Sequence, residues 1–155
     1  MPNFLKICSG GQTGVDRAAL DAAIACAVPH VGWCPKGRLA EDGVISDRYL
    51  LTETEAEDYY ERTRRNATDS DATLIFSPLP LEGGTALTAD IAHELEKPVL
   101  IVEPANCDAT AISDWIRDRK INVLNIAGPR ESENPGIYAS ANLLFLQVFE
   151  VLNQR

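Results

Sequence analysis

Phe4-Leu5-Lys6-Ile7-Cys8-Ser9-Gly10-Gly11-Gln12-Thr13-Gly14-Val15-Asp16-Arg17-Ala18-Ala19-Leu20 begins as an apolar run, breaks on glycines and resumes as an alanine-rich segment. Residues 4–9 read as a strand and 16–28 as the helix that follows it. A strand handed to a helix through a glycine turn is the repeating unit of parallel α/β folds. The alternation continues outward from this unit. Residues 30–34 predict a second strand, ended by Pro35, and 54–67 predict a helix with glutamates early and arginines late, as the helix dipole favours. Residues 72–77, 98–102 and 122–127 predict further strands, with helices from 83 to about 96, over 108–119 and over 137–153. The stretch 36–52 has little periodicity and predicts a long, lid-like connection.

Ala72-Thr73-Leu74-Ile75-Phe76 and Val99-Leu100-Ile101-Val102 are apolar on consecutive residues, the pattern of strands buried on both faces. Five strands alternating with helices predict a three-layer, Rossmann-like, doubly wound α/β fold with a mainly parallel sheet. Residues 1–155 are expected to form a single domain, with its ligand at the carboxyl ends of the strands.

The formal charge of −9 argues against a nucleic acid polymer as partner, because such binding neutralises phosphates with Lys and Arg. A small anionic ligand stays compatible, since local field outweighs the sum there. No apolar run approaches the ~20 residues of a membrane span, so no membrane partner is expected. Residues 1–6 lack a basic segment leading into an apolar one, so no signal peptide is expected and the expected location is cytoplasmic. The cysteines at 8, 26, 34 and 107 form no C-x-x-C pair, and neither a zinc site with His30 or His93 nor any structural metal is expected.

Gly10-Gly11-Gln12-Thr13-Gly14 lacks the G-K-[ST] of a Walker loop and is no G-x-G-x-x-G fingerprint. Its glycines would still let backbone N–H groups approach an anion, with the positive end of the next helix behind them. The turn is therefore expected to bind a phosphate or oxyanion, with Ser9 and Thr13 adding hydroxyls; the alternative is a tight turn without ligand. Asp16 would repel a phosphate, and reads either as an acceptor for a ribose or amine edge or as a helix-capping acid. A second turn, Gly83-Gly84-Thr85, repeats the chemistry after the strand at 72–77, with Thr85 and Thr88 as caps or ligand donors.

Arg17, Lys36, Arg38, Arg48 and Arg130 fall in or just after turns on the ligand edge, and Glu131 and Ser132 share the loop of the last. Solvated surface charge accounts for any one of them; as a set they favour an anionic ligand. Ala18, Ala19, Ala22, Ala23, Ala25, Cys26 and Ala27 make the first helix small-sided nearly all round, suited to a sheet on one side and another layer or subunit on the other. A homo-oligomer, dimer or tetramer, is expected from this.

Longer runs carry a family resemblance. Gly10-Gly11-Gln12-Thr13-Gly14-Val15-Asp16-Arg17-Ala18-Ala19-Leu20-Asp21, Gly32-Trp33-Cys34-Pro35-Lys36-Gly37-Arg38 and Ala40-Glu41-Asp42-Gly43 resemble the molybdenum carrier family. Gly83-Gly84-Thr85-Ala86-Leu87-Thr88, Ala127-Gly128-Pro129-Arg130-Glu131-Ser132 and Pro135-Gly136-Ile137-Tyr138 extend the likeness over nearly the whole chain. Ser46 and Leu50 depart from it, standing where prolines are expected. The family is similar to a wider Rossmann-like group that includes cytokinin-activating phosphoribohydrolases, once mislabelled lysine decarboxylases.

The resemblance implies a carrier that binds and protects the molybdenum cofactor (a pterin bearing a phosphate and an oxo-metal) or a related nucleotide-like ligand, without chemistry. It also supplies an enzymatic alternative, a nucleotide N-glycosidase or phosphoribohydrolase. Such enzymes carry an Arg on the helix before P-G-G-x-G-T-x-x-E, and Arg62 and Asp90 stand at the matching positions. Asp90 is shorter than that Glu, and Ala86-Leu87 replaces the second Gly-Thr, so holding a ligand is favoured over cutting it. Otherwise Arg62 reads as a salt-bridge partner of Asp58 and Asp90 as an exposed helix acid. A nucleotide-sensing module acting through a partner is the third expectation.

Overall fold

The computed structural model of the chain describes residues 5–154. Phe4, where the first strand is expected to begin, the first four residues of the leader reading over 1–6, and Arg155 lie outside the described residues. The first strand, β1 (Lys6–Cys8), feeds α1 (Val15–Ala25), and β2 (His30–Val31) follows. The four strands of two short ladders come next: β3 (Trp33–Cys34), the hairpin β4 (Leu39–Ala40) and β5 (Gly43–Val44), and β6 (Thr52–Glu53), which pairs with β3. The chain continues as α2 (Tyr59–Thr68), β7 (Ala72–Phe76), α3 (Gly83–Glu94), β8 (Val99–Val102), α4 (Ala109–Asp118), β9 (Val123–Ala127) and α5 (Ile137–Asn153).

The main sheet has the order β2-β1-β9-β7-β8, and every neighbouring pair is parallel. Read from β9 through α5 into β1, this order becomes 3-2-1-4-5, the Rossmann arrangement. The chain therefore enters the Rossmann pattern one unit late, and its last strand is the central one. The crevice where strand order reverses lies between β9 and β7, at the ends marked by Ala127 and Phe76.

Helices α1, α4 and α5 cover one face of the sheet, where Phe145 packs edge-on to Phe76 with centroids 6.0 Å apart. Helices α2 and α3 pack together on the other face. Ala18, Ala19, Ala22 and Ala23 of α1 are fully buried in the cluster shared with α5, so the small side chains admit a helix of the same chain. A smaller core of Leu20, Cys34, Ile45 and Tyr49 sits beneath the stretch 36–51.

Two elements differ from expectation. The strand over 30–34 is broken at Gly32, whose φ of +155° and contact with Ser9 send the chain from the main sheet into the β3–β6 ladder. The helix over 54–67 starts only at Tyr59. Residues 52–56 are drawn alongside β3 instead, with Thr54 N–H on Cys34 O at 2.8 Å and Lys36 N–H on Ala56 O at 3.0 Å. Asp58 then caps α2 by accepting from the N–H groups of Tyr60 and Glu61, at 3.1 and 3.3 Å. Among the described residues no helix is long and apolar enough to cross a membrane.

Candidate functional site

A cavity of about 180 Å³ opens at the crevice between β9 and β7. Gln12 and Asp16 line it from the β1–α1 side, Arg62 and Tyr59 from α2, Gly84, Thr85 and Thr88 from α3, and Gly128, Arg130 and Glu133 from the loop after β9. Its volume admits the charged end of a cofactor-sized ligand rather than the whole of one, since drug-sized pockets hold roughly 300–1,000 Å³.

The first glycine turn builds this wall by consuming its own donors. Gly11 N–H meets Ser9 Oγ at 3.3 Å, Gln12 N–H meets Asp16 Oδ2 at 3.3 Å, Thr13 N–H meets Gln12 Oε1 at 3.0 Å, and Val15 N–H meets Pro129 O at 3.2 Å. Ser9 Oγ donates in turn to Asp16 O at 2.9 Å. Gly14 has a φ of +78°, and a Cβ there would overlap Pro129 O, so the turn packs directly on the loop after β9. Gly10 lets the Arg62 guanidinium lie where a side chain would otherwise stand.

Arg62 reaches past Gly10 to Asp16, with Nη1 on Oδ2 at 3.1 Å. The pair is largely buried, with 14% and 7% of the side chains exposed. Burial pushes the Asp16 carboxyl above its ordinary value, and the Arg62 guanidinium pulls it back only in part. The Arg62 plane rests 5.3 Å from the Tyr59 ring centroid, and its buried Nε–H has no partner among the described residues. Asp16 Oδ1 likewise receives no hydrogen bond from them, both bonds to its carboxylate falling on Oδ2.

Helix α3 begins without a side-chain cap. Its first N–H groups are thus left for water or a ligand. Gly84 stands at this end, and a Cβ added to it would meet nothing within 4 Å, so packing does not require the glycine. Thr88 spends its hydroxyl on Gly84 O at 2.9 Å, inside the helix.

The remaining sequence-predicted residues gather elsewhere. Arg17 grips Asp42 with Nη1 and Nη2, at 3.0 and 3.2 Å, and Gly11 O with Nε at 3.1 Å. Arg38 donates to the carbonyls of Ile45, Ser46, Tyr49 and Leu51, and so ties the stretch 38–51 to itself. Lys36 is exposed and lies outside the cavity. Thr13 and Ser132 bind the Glu41 carboxylate: both hydroxyls donate to it, Ser132 Oγ at 2.5 Å, and Ser132 N–H adds a bond of 3.2 Å. Glu131 caps α5 by accepting from the N–H groups of Gly136 and Tyr138. Gly83 opens α3 with a φ of +52°. Asp90 is exposed and does not line the cavity, so the carboxylate that meets Arg62 is Asp16.

Sequence reasoning passed over the lining residues Tyr59, Glu133 and, inside the first turn, Gln12. Nothing in its local pattern marks it, since an uncharged side chain inside a glycine turn reads as filler. Among the described residues no group of three or more His, Cys, Asp or Glu side chains could hold a metal ion. The donors and acceptors facing the cavity instead suit a ligand that carries anionic oxygens together with an N–H or O–H edge.

The chain is similar to proteins of one family. The family model described as the circularly permutated YpsA SLOG family matches residues 7–149. A crystal structure at 1.45 Å resolution of a protein named "Putative molybdenum carrier protein", from Syntrophus aciditrophicus SB, is 47% identical and covers 96% of each chain with a TM-score of 0.89. No curated protein matches the chain.

Proposed function

Because the chain belongs to the circularly permutated YpsA SLOG family, we propose that it binds and shelters a small anionic ligand, the molybdenum cofactor or a nucleotide-like molecule, and does not transform it. The similar protein's name, a molybdenum carrier, supports the cofactor. The observation that carries the proposal is Arg62: a buried guanidinium with an unpartnered Nε–H, lining a cavity at the topological switch point. The uncapped start of α3 and Arg130 supply further donors for phosphate or oxo groups, and Asp16 Oδ1 accepts from a pterin or ribose edge. The cofactor is cargo here. Its phosphate suits the Arg62 end, while its ring needs room beyond the cavity's 180 Å³.

The hydrolytic alternative asks for a carboxylate at Asp90 working beside Arg62. Asp90 stands outside the cavity, and Asp16 is tied to Arg62, which favours holding a ligand over cutting it. Equilibrium binding of the molybdenum cofactor, and separately of nucleoside monophosphates, tests the proposal. Arg62→Met is expected to weaken binding by about 10- to 150-fold, the worth of a hydrogen bond to a charged group. Gly84→Val fills the space at the start of α3 and is expected to abolish binding while leaving the melting temperature nearly unchanged. Unchanged affinity in both variants, or release of free base from the nucleotides, sinks the proposal.

A further inference from the structure

Gln12 is 5% exposed, lines the cavity and carries no charge, yet its amide is held in one orientation. Its Oε1 accepts the N–H groups of Thr13 at 3.0 Å and of Glu41 at 2.9 Å. Two backbone donors on one oxygen fix which end of the amide is oxygen, since the flipped amide would set N–H against N–H. The Nε2 end has no acceptor among the described residues. The Nε2 atom is not sealed from solvent, so its N–H groups are open to an acceptor oxygen of water or of a ligand.

We infer that Gln12 is a specificity-determining residue of the cavity, donating from Nε2 to an acceptor oxygen of the bound anion and selecting ligands that present one there. The inference rests on the reading of the cavity as an anion site and adds to it a donor outside the glycine backbone. One of the N–H groups that orients Gln12 belongs to Glu41, at the tip of the β4–β5 hairpin. The position of that hairpin therefore sets the aim of the donor. A ligand that presents an N–H at this point meets an unpaired donor and is rejected, as sites built around a fixed hydrogen bond reject analogues that cannot complete it.

Inorganic phosphate is the probe, with affinity measured by calorimetry on wild type, Gln12→Met, Gln12→Glu and Arg62→Met. Gln12→Met removes the donor without adding charge and is expected to weaken phosphate binding about 10- to 100-fold. Gln12→Glu keeps an oxygen for the N–H groups of Thr13 and Glu41, so the turn and hairpin stay in place, yet it is expected to bind most weakly of all. In ¹⁵N–¹H spectra, the side-chain amide signal missing from Gln12→Met is expected to shift when phosphate is added to the wild type. A merely structural glutamine would leave that signal still. Wild type that binds phosphate and depends on Arg62, but shows no movement of the Gln12 amide and less than a twofold loss in Gln12→Met, overturns this inference and leaves the cavity reading intact. Wild type that binds no phosphate overturns both.

Discussion

Gly10 and Gly14 stand four positions apart and give way differently to a methyl group. At Gly10 the obstacle is Arg62 Nη1, the far end of a flexible side chain. Gly10→Ala is expected to keep the fold, swing the guanidinium away from Asp16 and weaken anion binding about as much as Arg62→Met does, at a stability cost of about 1–3 kcal/mol. At Gly14 the obstacle is backbone, Pro129 O, and φ is +78° with ψ at −128°. Gly14→Ala adds conformational strain to overpacking and is expected to cost about 2–6 kcal/mol. Urea unfolding of both variants, beside phosphate binding to Gly10→Ala, checks the order; a greater loss in Gly10→Ala refutes it. The turn itself was legible from its glycines. What the glycines serve was not, because the partner that needs Gly10 lies on α2, far away in sequence, and no local pattern announces a guanidinium arriving there. Asp16 was legible as an acid at a helix start, but its burial against Arg62 was not.

The stretch 36–51 is the element least visible to periodicity, because its strands are two residues long and its order comes from side chains. Arg38 holds four carbonyls of the stretch, and the tip is fastened by Asp42 to Arg17 and by Glu41 to Thr13 and Ser132. A lysine or arginine in a loop looks the same in sequence whether it faces a ligand or stitches the loop. The Ser132 and Thr13 hydroxyls hold the Glu41 carboxyl below its ordinary value. A group lowered in the folded state stabilises it above the ordinary carboxylate range, and that contribution is lost as pH falls through the lowered value. The hairpin is therefore expected to stay fastened at neutral pH and to loosen in acid. Hydrogen exchange at the Ser132 and Ile45 amides reads this directly. Glu41→Gln is expected to speed their exchange at neutral pH by at most about tenfold, the bond being partly solvent-exposed, and to flatten the acid dependence. Equal protection in wild type and variant across that range would show that the hairpin does not depend on the carboxylate.

At the scale of the whole molecule, hydrophobic runs located the sheet's strands, but not their neighbours. Periodicity reports burial, and β9 is buried whether it lies at the end of the sheet or, as here, between β1 and β7. The central place of the last strand puts the loop after β9 against both glycine-opened helices, which is why Gly128 and Arg130 share a cavity with Gln12 and Gly84. If the fold is Rossmann-like in its contacts and permuted only in its connections, the order of synthesis is dispensable. Helix α5 ends near the end of α1, Asn153 Nδ2 meeting Cys26 O at 3.1 Å, on the edge of the sheet opposite the cavity. The strand β1 starts from that same edge, where Lys6 N–H bonds Asn122 O at 2.7 Å. A flexible linker joining these ends, with new termini opened between the exposed residues Arg119 and Lys120, gives a chain that begins at β9 and follows the unpermuted order. No residue of the cavity lies near the cut or the joint. This permutant is expected to fold to a cooperative unit and to bind phosphate within about threefold of the parent chain, a difference well under 1 kcal/mol. Loss of the Arg62 cavity's binding in a permutant that still melts cooperatively would mean that the connection from α4 to β9 shapes the site, and that contacts alone do not.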